Sequence, residues 1–182
     1  MTDTTIFEEM GLDPRPDSEL TYDAIIARNM KIVDLHFHSE NPDEVQKAIA
    51  LYTEDITWEA PTRGIVMTDP KDVLAGYLGI FATLAYHKTT ALRRFATEKF
   101  VFDDQIAEVY VVGEPSQMHN FPYPKGTAVS VRLVHIFEMR DGRIAREIAY
   151  EMWRKAGSEV ANDDIPEGAV VTHFGDFPGF DD

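Results

Sequence analysis

The 182-residue chain contains no cysteine, so disulfides, thiolate metal sites and a thiol nucleophile are excluded from the outset. Basic residues are scarce: 17 Lys and Arg stand against 32 Asp and Glu, a formal charge of −15 with histidines neutral. So acidic a surface repels phosphate backbones and anionic headgroups, which removes nucleic acid and membrane surfaces as partners. No run approaches the roughly 18 apolar residues of a membrane helix, and the N-terminal segment through Glu9 lacks the basic start of a secretion signal. The expectation is a soluble cytoplasmic protein. A Gly-rich phosphate cradle, a Ser nucleophile elbow and a metal-spaced cluster are all missing, so nucleotide, acyl-enzyme and metal chemistry lack support and no cofactor is expected.

What remains is ordinary globular composition, 44 % hydrophobic, at a length that suits a single core. Residues 1–19 mix acids, prolines and a glycine without periodicity and read as an extended arm. Ile26, Met30, Val33 and Phe37 then recur as one buried face of a helix over Tyr22 to His38. Asn41-Pro42-Asp43-Glu44 predicts a second helix to about Tyr52, and Asp69-Pro70-Lys71-Asp72 a third, with Val73, Leu74, Tyr77, Leu78, Phe81 and Leu84 on its apolar side. Between these two, Ile56 to Ala60 reads as a strand ended by Pro61.

After about His87 the period changes to 2, with strands expected near 89–102, 105–113, 127–139 and 142–153. Arg140-Asp141-Gly142-Arg143 marks a hairpin between the last two. Helices first and sheet second make one α+β domain over 20–156. The loop from Glu114 to Lys125, with Phe121 and Tyr123 among prolines, could rim a pocket. In the acidic tail, 157–182, the three phenylalanines Phe174, Phe177 and Phe180 should dock on this subunit or a neighbour.

Several side chains invite chemistry. Tyr22, Ile25, Asn29, Ile32 and His36 form a second helical stripe that suits a pocket wall. His36 and His38, two apart on a helix, point about 200° from one another, which disfavours joint chelation. His135 alternates with Val129, Val131, Leu133 and Phe137, so it should face inward, either for proton exchange or as a satisfied core histidine. One of Arg93 and Arg94 must also face inward. Trp58, alternating with Ile56 and Ala60, offers a flat surface to an aromatic ligand. On the last strand Glu147, Ala149 and Glu151 share one face and Ile148, Tyr150 and Met152 the other; composition alone makes the Ile face core.

Two passages, Ala50-Leu51-Tyr52-Thr53-Glu54-Asp55-Ile56-Thr57-Trp58-Glu59-Ala60-Pro61 and Val134-His135-Ile136-Phe137-Glu138-Met139-Arg140-Asp141-Gly142-Arg143-Ile144, together with the element order, carry a family resemblance. The chain resembles the nuclear transport factor 2-like superfamily in its SnoaL-like, polyketide-cyclase-like branch. That implies a cone-shaped, curved antiparallel sheet wrapped around three N-terminal helices and a deep pocket. It also implies that Ala60 and Ala149 occupy places where isomerases, cyclases and epoxide hydrolases keep a catalytic aspartate. The resemblance turns the Ala149 face into the pocket, so Glu147 or Glu151 would supply the carboxylate and the Ile face would join a homodimer or homotrimer.

Further implied roles are an oxygen-binding Asn29, a proton-transferring His135 in place of a buried acid or amide, and Arg93 or Arg94 near a dehydratase histidine. His87 and Glu108 are looser members of this set, His87 because a longer strand would carry it into the arginine position. The activity the resemblance suggests is that of a cofactor-independent lyase on a small hydroxylated aromatic substrate, similar to the diarylpropane deformylating lyases. In that version Arg93 and Asn29 hold phenolic oxygens, with Tyr22 and His36 beside them, and Trp58 stacks on a ring. His135 and Glu151 act as base and acid, and a stilbene is left. A non-catalytic binding module and an isomerase, cyclase or dehydratase are the alternatives.

Overall fold

The computed structural model describes residues 4–158 and 163–180. Four helices, α1 (Thr4–Glu9), α2 (Tyr22–His38), α3 (Val45–Ala50) and α4 (Pro70–Thr83), accompany a single seven-stranded sheet. Its strands are β1 (Tyr52–Ala60), β2 (Ile65–Met67), β3 (Leu84–Ala96), β4 (Phe100–Val111), β5 (Ala128–Arg140), β6 (Arg143–Lys155) and β7 (Val170–His173). They lie in the order β2-β1-β6-β5-β4-β3-β7. Neighbours are antiparallel except β1 and β6, which run parallel, so the wholly antiparallel sheet expected from sequence is corrected at that one seam. The α+β architecture, helices within a curved open sheet, is the expected one. No helix among the described residues is long and apolar enough to cross a membrane.

Local chemistry accounts for the element ends. Thr21 accepts the Ala24 N–H (3.3 Å) to start α2, and Asp69 accepts that of Lys71 (2.8 Å) ahead of Pro70 to start α4. Asn41 Oδ1 accepts the N–H of Asp43 and of Glu44, each at 3.1 Å, yet regular helix covers only Val45–Ala50 because Tyr52 is already paired in the sheet. Asp141 and Gly142 adopt φ of 47° and 72°, the left-handed pair that a two-residue hairpin needs.

Three expectations change. The strand foreseen over 89–102 is two strands, broken where Thr97 Oγ1 accepts the N–H of Lys99 (3.2 Å) and Phe100 (3.0 Å). The arm is not extended throughout: α1 occupies Thr4–Glu9, and Phe7 and Leu12 are buried in the core, with the Arg143 guanidinium 4.6 Å over the Phe7 ring. The edge strand β2 was not foreseen, being only three residues long. In the loop after β4 the Ala82 carbonyl lies 1.9 Å from where a Cβ on Gly113 would be, so this position admits only glycine.

Bulges decide which side chains face inward. Register shifts between Glu138 and Met139 let both Ile144 and Glu147 point into the cone, although strict alternation would separate them. A second shift, between Ala91 and Arg93, turns Arg94 inward and Arg93 outward. Beyond residue 163 the chain returns as β7, pairing with β3 from Lys88↔His173 to Ala91↔Val170. Phe177 then stacks on Tyr110 (5.7 Å) and Phe180 on His87 (4.6 Å), while Phe174 stays 60 % exposed beside Tyr86.

Candidate active site

Inside the cone lies a cavity of about 940 Å³, a volume that takes a small organic ligand. Trp58, Tyr77, Phe81, Tyr86 and Trp153 give it flat apolar walls, and Arg94, Asp103, His135, Glu147 and Glu151 bring charge to it. The Glu face of β6 is therefore the inner one: Glu147 and Glu151 are 1 % and 6 % exposed, whereas Tyr150 and Met152 on the opposite face are 40 % and 44 % exposed.

β5 and β4 place His135 opposite Asp103 in register. His135 Nδ1 stands 3.7 Å from Asp103 Oδ2, an ion-pair distance one step beyond a hydrogen bond, and Arg94 Nε holds the other carboxylate oxygen at 2.7 Å. Burial works to lower the His135 pKa, but Asp103, Glu147 and Glu40 together lift it above 6.5. One strand over, Phe137↔Glu147 and His135↔Ala149 are the cross-strand pairs, so Glu147 is the diagonal neighbour of His135, at a spacing of roughly 7–8 Å.

Behind Glu147 sits a buried polar cluster. His36 Nε2 lies 2.8 Å from Glu40 and 3.2 Å from Glu147; the Tyr52 hydroxyl donates to Glu147 at 2.5 Å, and the Tyr77 hydroxyl donates to Glu40 at 3.0 Å. Burial pushes the His36 pKa down, but Glu147 and then Glu40 outweigh it and raise it to about 10. Glu40 is nearer yet 19 % exposed, so water screens it and the enclosed Glu147 dominates. In return, the Glu147 pKa is lowered despite its burial, chiefly by His36. Burial and the two glutamates hold Tyr52 and Tyr77 well above 10, so both remain hydrogen-bond donors. His36, Glu40 and Glu147 are also the one group among the described residues whose donor atoms, all within 4.8 Å, could hold a cation. A protonated His36 has no lone pair at Nε2 for a metal, and that nitrogen faces Glu40 and Glu147 instead, while its Nδ1 has no partner among the described residues.

Glu151 is differently placed. Arg63 grips it with two bonds (2.7 and 2.8 Å) and Trp153 Nε1 donates at 2.9 Å. Both Glu151 oxygens are thus occupied, whereas Glu147 is bonded chiefly through Oε2 and keeps Oε1 for a substrate, so Glu151→Gln should change turnover by less than about tenfold, against the roughly 10²–10⁴-fold expected of a true acid or base. Steady-state kinetics on the pure variant checks this.

The structure relocates several residues expected at the site. Tyr22 is 55 % exposed at the start of α2. Asn29 is buried, but its Nδ2 donates to the carbonyls of Thr97 (3.3 Å) and Glu98 (3.0 Å), fastening the β3–β4 turn. His36 is fully enclosed behind the cavity wall, not part of its surface. Arg93 turns to the opposite face, where its half-exposed guanidinium binds Asp104 (2.9 Å). Glu108 pairs there with Lys88 (3.0 Å), and His87 is covered by the tail through Gly175 and Phe180. Trp58, His135, Glu147 and Glu151 do meet around one cavity. Arg94 is the inward arginine of its pair, and Asp103, Glu40, Tyr52, Tyr77 and Arg63 complete the site; of these five only Glu40, one turn after His36, and Tyr77, on the apolar stripe of α4, carry a local sequence signal.

The sequence profile of the SnoaL-like domain matches residues 33–147, which include β1, β5 and the start of β6 as far as Glu147. The chain belongs to the SnoaL-like family. No curated protein sequence matches it significantly. Solved structures similar to this SnoaL-like chain include an LEH-like epoxide hydrolase from M. tuberculosis (13 % identity, TM-score 0.53, covering 70 % of this chain and 84 % of that one). A Pseudomonas putida protein named as a polyketide cyclase is 14 % identical (TM-score 0.56, 75 % and 95 % covered), and a phenazine biosynthesis-related protein from Pseudomonas aeruginosa 13 % (TM-score 0.55, 70 % and 81 %). At such identities the likeness concerns the fold, and function has to be argued from the site.

Proposed function

We propose that this SnoaL-like protein is a cofactor-independent lyase acting on a small hydroxylated aromatic molecule, with His135 and Glu147 as acid and base. One observation carries the reading: two diagonal neighbours on the inner wall have pKa values displaced in opposite directions, His135 upward and Glu147 downward. Between about pH 4.5 and 6.5 one holds a proton and the other lacks one, so a single turnover can deliver one and accept another. The flat walls supplied by Trp58, Tyr77 and Phe81 suit an aromatic ring.

In an aryl 1,3-diol, Glu147 takes the proton of the terminal hydroxyl and the adjacent carbon–carbon bond breaks to release formaldehyde. The freed electron pair forms a conjugated carbon–carbon double bond, and the benzylic hydroxyl leaves as water with the proton of His135. Glu147 then gives its proton to solvent water and His135 takes one up from it, which restores both groups. The nearby Asp103 carboxylate supports the charged form of the imidazole.

The test is a panel of 1,2-diaryl-1,3-propanediols and simpler phenolic diols, followed by ultraviolet absorbance for new conjugation and by trapping of formaldehyde. Conjugated product that depends on His135 is expected. Tight binding without any product would make the protein a binding module, and a product of unchanged mass would make it an isomerase or cyclase.

The outer face of β6 supports a homodimer or homotrimer. Tyr150 and Met152 are exposed there beside half-buried Ile148, an apolar surface that a second copy would cover. Light scattering should report two or three copies, and Met152→Arg should yield monomers; a monomeric parent protein would remove this assignment.

A further inference from the structure

Beside the main cavity lies a smaller one of about 400 Å³, and Trp58, Tyr77, Ile80 and Met118 line both. Trp58 is 4 % exposed, and its indole N–H finds no acceptor among the described residues. A buried donor without a partner is costly, and at the wall between two hollows a ligand atom is the natural acceptor. The chemistry of the small chamber narrows that atom. Its guanidinium, Arg63, is neutralised by Glu151 through two bonds, so no cation is left over for an anionic group. Apolar side chains such as Ile65, Met67 and Val73 make up most of the remaining lining, with Tyr77, Gln117 and His119 as its uncharged polar members. Space of this kind fits a short aliphatic chain bearing one neutral oxygen.

We infer that the smaller chamber is a subsite for a second, non-reacting oxygenated substituent of the aromatic substrate, and that the Trp58 indole N–H donates to the oxygen of that substituent. The inference rests on the proposed aromatic substrate and adds to it where a substituent remote from the reacting diol goes. Trp58 thereby acts as a specificity-determining donor as well as a flat surface. The helical glycine of the chamber gives a way to close it: a Cβ on Gly76 would meet only the flexible end of Met67, at 3.0 Å to Cε, so a larger residue there is accommodated by the fold.

The probes are 3-phenyl-1-propanol and propylbenzene, which differ by one hydroxyl, with phenol as a ligand lacking the side chain. By titration calorimetry the wild-type protein should bind the alcohol about 3- to 10-fold more tightly than the hydrocarbon, the range of one neutral hydrogen bond. Trp58→Phe, which keeps a ring and removes the donor, should abolish the preference. Gly76→Leu should weaken 3-phenyl-1-propanol at least about fivefold, the scale of a few methylenes expelled from an apolar site, and leave phenol unchanged. In the unsubstituted protein, nitrogen–proton correlation spectra should show the Trp58 indole resonance moving downfield with the alcohol and not with propylbenzene. A preference that survives Trp58→Phe, an affinity indifferent to Gly76→Leu or an unmoved indole signal overturns the subsite. Failure of the diol panel with a responsive indole removes the lyase alone; turnover with a silent indole removes the subsite alone.

Discussion

His135→Gln is expected to lower turnover of an aryl diol by about 10²–10⁴-fold while leaving the unfolding temperature close to that of the parent, because the amide fills the imidazole volume and cannot carry a proton at neutral pH. The pH profile gives the same claim a second handle. The acid must be protonated, so activity falls as pH rises through the His135 pKa, which lies above 6.5. The base must be ionised, so activity falls as pH drops through the Glu147 pKa, which lies below 4.5. The plateau therefore spans at least pH 4.5–6.5, with one limb on each side. Asp103 helps raise the imidazole, so Asp103→Asn should move the alkaline limb to lower pH and leave the acid limb in place. An alkaline limb unchanged in Asp103→Asn would show that His135 is not the group it reports.

The same residues show how far the sequence reaches. Alternation along β5 puts His135 inside because every neighbour in its set is apolar, and Asp141-Gly142 fixes the hairpin that brings β6 alongside. The orientation of β6 was not legible in composition: its inner face carries two carboxylates and its outer face Ile148, Tyr150 and Met152, the reverse of an ordinary amphipathic strand. A cavity explains the inversion, since charged groups may face a hollow when buried partners such as His36 and Arg63 satisfy them. The two stripes of α2 partly exchanged roles for a related reason, although Val33 lies in the core as its spacing predicts. Met30 and Phe37 border the cavity and Ile32 and His36 lie in the core, and periodicity registers apolar side chains without distinguishing protein from ligand space. Arg93 and Arg94 were separated by a bulge, which shifts the phase of a strand without a sequence mark at this site. Asp103 and Tyr52 join the site through strand pairing and a 95-residue separation from Glu147, respectively, and no local pattern predicts either contact.

The largest stability effect is expected at His36. The cluster it centres is enclosed, and Glu147 and Glu40 have a counter-charge there only while the imidazole is protonated. His36→Gln leaves a buried carboxylate without its counter-charge, a change that costs about 3–5 kcal/mol in comparable buried pairs. The pH dependence has a definite sign. A histidine raised from 6.5 to about 10 contributes stability that is whole below pH 6.5 and is lost as pH rises through 10. The depressed Glu147 contributes above pH 4.5 and loses its share as pH falls. Urea midpoints of the wild-type protein should thus decline across pH 6.5–10, and His36→Gln should flatten that decline while lowering the midpoint near pH 6. His36→Gln combined with Glu147→Gln should cost less than the two singles summed, since neither charge is then left alone. Additive losses with an unchanged alkaline slope would mean that the proton shared by His36 and Glu147 is not what holds this part of the cone together.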